Sequence, residues 1–123
     1  MSFFKQLALC GAFLLMFWSC QSAPAGLEWP AESSQSRPWT RWWWHGNSVT
    51  KADITASLEA YQKNGFGGVE ITPIYGVRGQ EGSFIDYLSP EWMEMLEHTL
   101  QEAQRLGLEV DMANGTGWPF GGP

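Results

Sequence analysis

Two kinds of hydrophobic pattern alternate along the middle of the chain, one typical of β-strands and the other typical of amphipathic helices. Residues 39–45, 67–74 and 108–113 are short apolar or alternating runs rich in aromatic and β-branched side chains, which predicts three β-strands. Between them, apolar residues recur at intervals of three and four, which predicts two amphipathic helices. The order strand, helix, strand, helix, strand predicts an α/β domain with right-handed parallel crossovers.

Capping residues mark the ends of both helices. Thr50, with Asp53 three residues later, resembles a capping box, and Asn64-Gly65 is typical of a helix end. Ser89 and Pro90 predict the start of the second helix, which should end before Gly107. The spacing predicts buried stripes that consist of Ile54, Leu58 and Tyr61 in the first helix and of Met93, Leu96, Leu100 and Ala103 in the second.

Long loops follow the second and third strands. Residues 75–88 contain three glycines, and residues 114–123 are rich in Gly and Pro with Trp118 and Phe120 between them. The alternation alone permits a doubly wound sheet or a barrel. The turn after the first strand lacks the Gly-x-Gly-x-x-Gly pattern of a dinucleotide fold, and long loops at the carboxyl ends of strands are the active-site face of a barrel.

The predicted fold class is therefore α/β, the first three βα units of a (β/α)8 TIM-type barrel. A complete barrel takes about 250 residues. We expect residues 37–123 to be the N-terminal part of such a domain, truncated at Pro123 inside its third βα loop.

The N-terminal segment predicts export. Lys5 precedes an apolar run at residues 7–18, which is shorter than the ~20 residues that span a bilayer. Residues 1–25 are therefore expected to be a signal peptide, with residues 26–36 as a linker. Cys20 fits a loose lipoprotein cleavage site and would be lipidated, whereas the alternative is ordinary cleavage after Ala25. The expected location is the outer membrane or periplasm as a lipoprotein, or otherwise the secreted fraction.

Composition narrows the classes of partner. The formal net charge is −6, which argues against a nucleic-acid partner because such binding needs a basic patch. Both cysteines lie in the predicted signal peptide, so the remainder has no disulfide framework. Membrane contact is expected only through a lipid on Cys20.

Strand parity supplies the candidate site residues. If Val69 and Ile71 face the helices, Glu70 faces the barrel interior, and by the same alternation Asp111 does so on the third strand. A carboxylate there either contacts ligand hydroxyls or a cation, or belongs to a structural salt bridge. Alternation also puts Trp43 on the face opposite Trp42 and Trp44, so at least one of these tryptophans is core.

Further candidates lie at the strand ends and on the last loop. His45 and Asn47 end the first strand, and Asn114 follows the third. Trp118 lies between Gly117 and Pro119, which suits a ring that packs against the C–H face of a sugar. The alternative is a ring that folds back over the barrel mouth. The substrate-binding candidates are Trp44, His45, Asn47, Glu70, Asp111, Asn114 and Trp118. No His or Cys pair has zinc spacing.

Three motifs resemble one enzyme family. Residues 114–123, Asn-Gly-Thr-Gly-Trp-Pro-Phe-Gly-Gly-Pro, resemble a signature of the α-L-rhamnosidases of glycoside hydrolase family 106. Residues 41–47, Arg-Trp-Trp-Trp-His-Gly-Asn, resemble the first barrel strand and turn of that family, and residues 65–70 supply a weaker third match in the expected order.

The resemblance implies an inverting α-L-rhamnosidase that acts with the aid of calcium. Together with the predicted signal peptide, this implies an exported enzyme that releases terminal rhamnose from polysaccharides. The family's catalytic acid and base lie on later strands, so they are expected downstream of Pro123. The catalytic residues and metal ligands are therefore unknown here, and the fragment itself is expected to be inactive. The alternative is a non-catalytic carbohydrate-binding surface lipoprotein or a truncated relic.

Overall fold

The computed structural model describes residue 26 and residues 28–115. The chain divides into two units, residues 1–31 and 32–123, and the regular elements of the described residues lie in the second. In chain order these are a 3-10 turn at Ser34–Ser36, strand β1 (Trp39–His45), helix α1 (Lys51–Lys63), strand β2 (Gly68–Ile74), a 3-10 turn at Glu81–Ser83, helix α2 (Pro90–Leu106) and strand β3 (Glu109–Met112). No helix among the described residues is long and apolar enough to cross a membrane.

The three strands form one parallel sheet in the order β1-β2-β3. The predicted α/β class with parallel strands and two intervening helices is confirmed. β1 has its predicted bounds, while β3 is shorter than predicted because Leu108 and Ala113 lie outside it.

Strand β2 begins one residue later than predicted and continues through Pro73 to its predicted end at Ile74. Ile71 accepts from the backbone N–H of Ala113, so the odd-numbered residues of β2 present their backbone groups toward β3. Pro73 faces the same side, but β3 ends opposite Ile71. The missing N–H of the proline therefore costs no ladder hydrogen bond, which is how proline is tolerated inside a strand.

Both helices begin at their predicted caps. Thr50 Oγ1 accepts from the backbone N–H of Asp53 at 3.2 Å, and Ser89 Oγ accepts from that of Trp92 at 3.2 Å. These bonds satisfy donors that the first helical turn leaves without partners. Helix α2 ends at Gly107, whose φ of 67° lies in the left-handed region that glycine adopts without strain.

The predicted buried stripe of α1 is confirmed, but that of α2 is wrong at two positions. Met93 and Leu100 are 47% and 49% exposed. The residues that α2 buries are Trp92, Met95, Thr99 and Ala103. The helix is rotated by about one residue because Trp92 takes the core position, and Thr99 fits there since its hydroxyl donates to the Met95 carbonyl at 2.8 Å.

An aromatic core lies between one face of the sheet and the two helices. The ring of Trp44 packs edge-on against Trp42 and Trp92, with centroids 5.6 and 5.9 Å apart, and Tyr87 packs against Trp92 at 5.0 Å. Edge-to-face contacts of this kind are favourable beyond the area they bury. Ile54 and Leu58 of α1 join the same cluster, so both helices cover one face of the sheet.

Residues 32–36, which the sequence assigned to a linker, contact the amino end of the sheet. Ser34 Oγ donates to the Glu109 carboxylate, and Trp39 Nε1 donates to the Ser34 carbonyl at 3.2 Å. A Cβ atom at Gly67 would lie 1.8 Å from the Ser34 carbonyl oxygen, so this approach requires glycine.

Candidate functional site

Among the described residues, no helix packs against the sheet face opposite α1 and α2, and this face is here called the open face. Residues in register share a face, and the buried Trp42 and Trp44 of β1 lie on the same side as Val69 and Ile71 of β2. The alternate positions lie on the open face, which carries Arg41, Trp43, His45, Glu70 and Asp111, together with Thr72, which is buried. The strand register therefore places Glu70 and Asp111 on the face away from the helices, as the alternation in the sequence predicted.

A charged row crosses the middle of the open face. Arg41 Nε lies 3.2 Å from Glu70 Oε2, and both side chains are about one-third exposed. Asp111 of β3 is in register with Glu70 and is exposed. The Arg41 guanidinium also lies 5.4 Å from the ring centroid of Trp43, within cation–π range. The described contacts of Glu70 thus match the salt-bridge alternative.

The carboxyl ends of the strands form one edge of the sheet, here called the carboxyl edge. At this edge, the turn after β1 is bonded to the loop of residues 75–88. Gly46 and Asn47 both have positive φ, 59° and 52°. Gly46 accepts from the backbone N–H of Ile85 at 3.1 Å, and Asn47 Nδ2 donates to the Ile85 carbonyl at 3.0 Å. These two bonds attach the middle of the loop of residues 75–88 to the end of β1.

Phe84 fills the space between the two strand ends. A Cβ atom at Gly76 would lie 1.9 Å from Phe84 Cζ, and one at Gly46 would lie 2.5 Å from its Cδ1. Both positions need glycine because the aromatic ring occupies the space of a side chain. Sequence reasoning missed Phe84; the available signal was a strand-end glycine on each of two neighbouring strands, with one aromatic residue in the loop between them.

Two further hydrogen bonds hold the rest of that loop. Ser48 Oγ donates to Ser83 Oγ at 2.8 Å, which is a third bond between the loop and the turn after β1. The backbone N–H of Gly79 donates to Glu81 Oε1 at 2.9 Å, and this bond lowers the pKa of the Glu81 carboxyl below its ordinary value. The loop is held by its bonds to the turn after β1 and by this internal bond, although most of it lies on the surface.

Two clefts open at the carboxyl edge, with Phe84 as a wall of both. The first, here called the Tyr75 cleft, measures about 340 Å³, and its lining includes Asn47, Tyr75, Phe84, Asp86 and Tyr87. The second, the His45 cleft, measures about 200 Å³, and its lining includes His45, Ser48, Gln80, Ser83 and Phe84.

A larger cleft of about 400 Å³ lies at the opposite end of the sheet, lined by Trp39 and β3 residues. We place the candidate site at the carboxyl edge instead. The amino-end cleft is bounded by an edge strand that has no further partner among the described residues, so its volume reflects that open edge.

Two of the predicted site residues lie in the interior, which corrects those predictions. Trp44 is fully buried in the aromatic core, so its ring offers no surface to a ligand. Asn47 is 5% exposed, and its amide is used to hold Ile85. Its Oδ1 atom is enclosed and has no hydrogen-bond partner among the described residues, so this side chain supports the loop.

The other predicted binding residues are accessible or lie outside the described part of the chain. His45 is exposed and lines the His45 cleft, and Asn114 is exposed just beyond the end of β3, at the same edge of the sheet. Glu70 and Asp111 lie in the charged row, nearer the middle of the sheet. Trp118 falls outside the described residues.

Two further predictions also concern positions that the structure does not describe. Cys20, the predicted lipidation site, and Pro123, where the predicted barrel is truncated, both fall outside residue 26 and residues 28–115. The expectation that the catalytic acid and base lie downstream of Pro123 therefore stays a prediction, as does lipidation at Cys20.

The described residues do not supply an evident metal site. Within residue 26 and residues 28–115, no group of three or more His, Cys, Asp or Glu side chains is placed to hold a metal ion. Calcium takes six to eight oxygen ligands. The calcium implied by the resemblance therefore finds no ligand set here and stays a prediction.

Comparison with known proteins decides the family. The family model described as α-L-rhamnosidase, glycoside hydrolase family 106, matches residues 28–123. The chain belongs to this family. The resemblance found in the sequence motifs is thereby confirmed.

Two similar proteins show how small a part of a full-length relative this chain covers. A Formosa agariphila protein provisionally named a β-glucuronidase is 33% identical over 101 residues, which is 80% of this chain and 8% of that protein. The structure of a rhamnosidase from Novosphingobium sp. PP1Y matches with a TM-score of 0.55 and 30% identity, over 69% of this chain and 8% of that one. The chain thus spans about 8% of the length of each relative.

The contact between Gly76 and Phe84 yields a testable prediction. Gly76→Ala forces the Phe84 ring or the loop to move, and we expect a destabilisation of about 1–3 kcal/mol, as in overpacked cores. Thermal unfolding and limited proteolysis of the loop of residues 75–88 in the complete gene product measure the effect.

Gly82→Ala is the matched control, because a Cβ atom there meets nothing within 4 Å. The double variant Gly76→Ala/Phe84→Ala should lose less stability than the sum of the two single changes. Equal proteolysis of wild type and Gly76→Ala would show that the ring does not fix the loop.

Proposed function

We propose that the protein carrying this chain is an exported glycoside hydrolase that removes terminal α-L-rhamnose from polysaccharides with inversion at the anomeric carbon. The family match over residues 28–123 is the observation that carries this proposal. The similarity to a solved rhamnosidase supports it, because that similarity covers 69% of this chain at 30% identity.

The topology supports a barrel over a doubly wound sheet. The strand order is sequential, and the core cluster combines side chains of both helices with one face of the sheet. A doubly wound sheet places helices on both faces, whereas a (β/α)8 barrel keeps every helix outside and turns the other face inward. On this proposal the open face becomes the barrel interior, and the carboxyl edge becomes the active-site mouth.

This part of the proposed enzyme supplies binding walls, and the reacting carboxyl groups come from strands downstream of Pro123. Inversion needs two carboxyl groups about 6.5–9.5 Å apart on either side of the scissile bond. Glu70 is paired with Arg41, and the charged row that contains it and Asp111 lies below the strand ends. We therefore assign neither residue as acid or base.

The proposed binding groups at the mouth are His45, Asn114 and Trp118. His45 and Asn114 present hydrogen-bonding groups at the carboxyl edge. Trp118, which follows β3 in the sequence, would pack its ring against the C–H face of the sugar. Calcium stays part of the proposal through the family resemblance alone, and no step is assigned to it.

The stereochemistry of hydrolysis tests the proposed activity. The complete gene product, incubated with an aryl α-L-rhamnoside, should release β-L-rhamnose first, because inversion changes the anomeric configuration. Proton NMR spectra recorded before mutarotation distinguish the two anomers. Initial release of the α-anomer would contradict inversion, and absence of hydrolysis across aryl and polysaccharide rhamnosides would contradict the assigned substrate.

Export is proposed with lipidation at Cys20, supported by Lys5 and the apolar run that follows it. Expression in a lipoprotein-competent bacterium with a labelled fatty acid should give label in the wild type and none in Cys20→Ala. Equal label in both would reject lipidation, and cleavage after Ala25 would then be the preferred interpretation. Cys10→Ala serves as the control, because it removes the other cysteine.

A further inference from the structure

We propose that the Tyr75 cleft binds one uncharged sugar ring and that Asp86 makes this position reject uronic acids. The inference rests on the proposed glycosidase function and adds a substrate class to it. It concerns Tyr75 and Asp86 on the loop after β2, which lie outside the three motifs that carry the family resemblance.

The cleft has the size and the wall for one ring. Its volume of about 340 Å³ lies at the small end of the range of about 300–1,000 Å³ found for ligand pockets. Tyr75 is 66% exposed, an unusual exposure for a large aromatic side chain on a cleft wall. An exposed ring beside a polar rim can pack against the C–H face of a sugar while its hydroxyl stays available for a hydrogen bond.

The walls of the cleft are held before any ligand arrives. Phe84 packs between Gly46 and Gly76, and the Ile85 backbone is bonded to the turn after β1 from both its N–H and its carbonyl. A binding surface fixed in this way loses little conformational freedom on binding. The cleft is therefore a preformed site rather than a loop that must close over a ligand.

Charge decides which sugars fit. Asp86 is exposed and is the charged residue among the described residues that line the cleft. Arg78 lies on the same loop but is not among those lining residues. A carboxylate accepts hydrogen bonds from sugar hydroxyls, whereas it repels the carboxylate of a uronic acid, which would need a cation opposite it.

Paired ligands that differ only in charge test the proposal. The complete gene product is titrated by calorimetry with L-rhamnose, D-glucuronamide and D-glucuronate. We expect D-glucuronate to bind at least about tenfold more weakly than D-glucuronamide, since the two differ by one like charge near Asp86. Asp86→Asn should reduce that gap to less than about threefold without weakening the two uncharged ligands by more than that factor.

Variants at Tyr75 separate the ring from its hydroxyl. Tyr75→Ala should weaken the uncharged sugars by about tenfold or more, while Tyr75→Phe keeps the stacking surface and most of the affinity. Leu88→Ala is the control, because Leu88 is a comparably exposed apolar residue of the same loop outside the cleft lining. Thermal unfolding of each variant should match the wild type.

The outcomes are distinguishable from failure of the proposed activity. If the enzyme has rhamnosidase activity and Tyr75→Ala binds the sugars as tightly as the wild type, then sugar binding in the Tyr75 cleft is contradicted while the proposed activity stands. Binding that depends on Tyr75 and Asp86, without rhamnoside hydrolysis, would overturn the activity and keep the cleft. Equal affinity for D-glucuronate and D-glucuronamide in the wild type, or no binding of either uncharged sugar, would overturn the inference.

Discussion

Alternation along three parallel strands in a fixed register is the constraint on which the rest of this structure depends. A shift of one residue in β1 would exchange Trp42 and Trp44 for Arg41 and Trp43 and would bury a guanidinium against the helices. The contact between Trp44 and Trp92 opposes that shift, because the largest rings of β1 and α2 interlock in the core. The same register places Arg41 beside Glu70 and Glu70 beside Asp111 on the open face.

The carboxyl edge depends on a second, more local constraint. Glycine at positions 46 and 76 leaves a space that Phe84 fills, and the turn after β1 is hydrogen-bonded to the backbone of Ile85. This packing turns a glycine-containing surface loop into a rigid wall with a cleft on each side. Binding groups on loops that a rigid scaffold positions are the usual way in which a common fold acquires a particular function.

The sequence predicted the features that depend on neighbouring residues, such as the β1 bounds and the caps Thr50 and Ser89. The predictions from the sequence were wrong where contacts between distant residues determine which side chains are buried. Periodicity favoured Met93 and Leu100 as core, but the position of Trp92 against the sheet sets the rotation of α2. Likewise, the sequence predicted Asn47 as a ligand-binding residue because its hydrogen bond to Ile85, which is distant in the sequence, could not be foreseen. The ion pair of Glu70 required the strand register.

A crystal structure of the complete gene product with L-rhamnose tests the central claim most directly. On our account, β3 pairs along its free edge with a further parallel strand, the open face that carries Arg41, Glu70 and Asp111 points inward, and the sugar lies at the carboxyl edge near Tyr75 and His45. A sheet with helices on both faces, or a sugar bound at the amino end beside Trp39, would contradict the account.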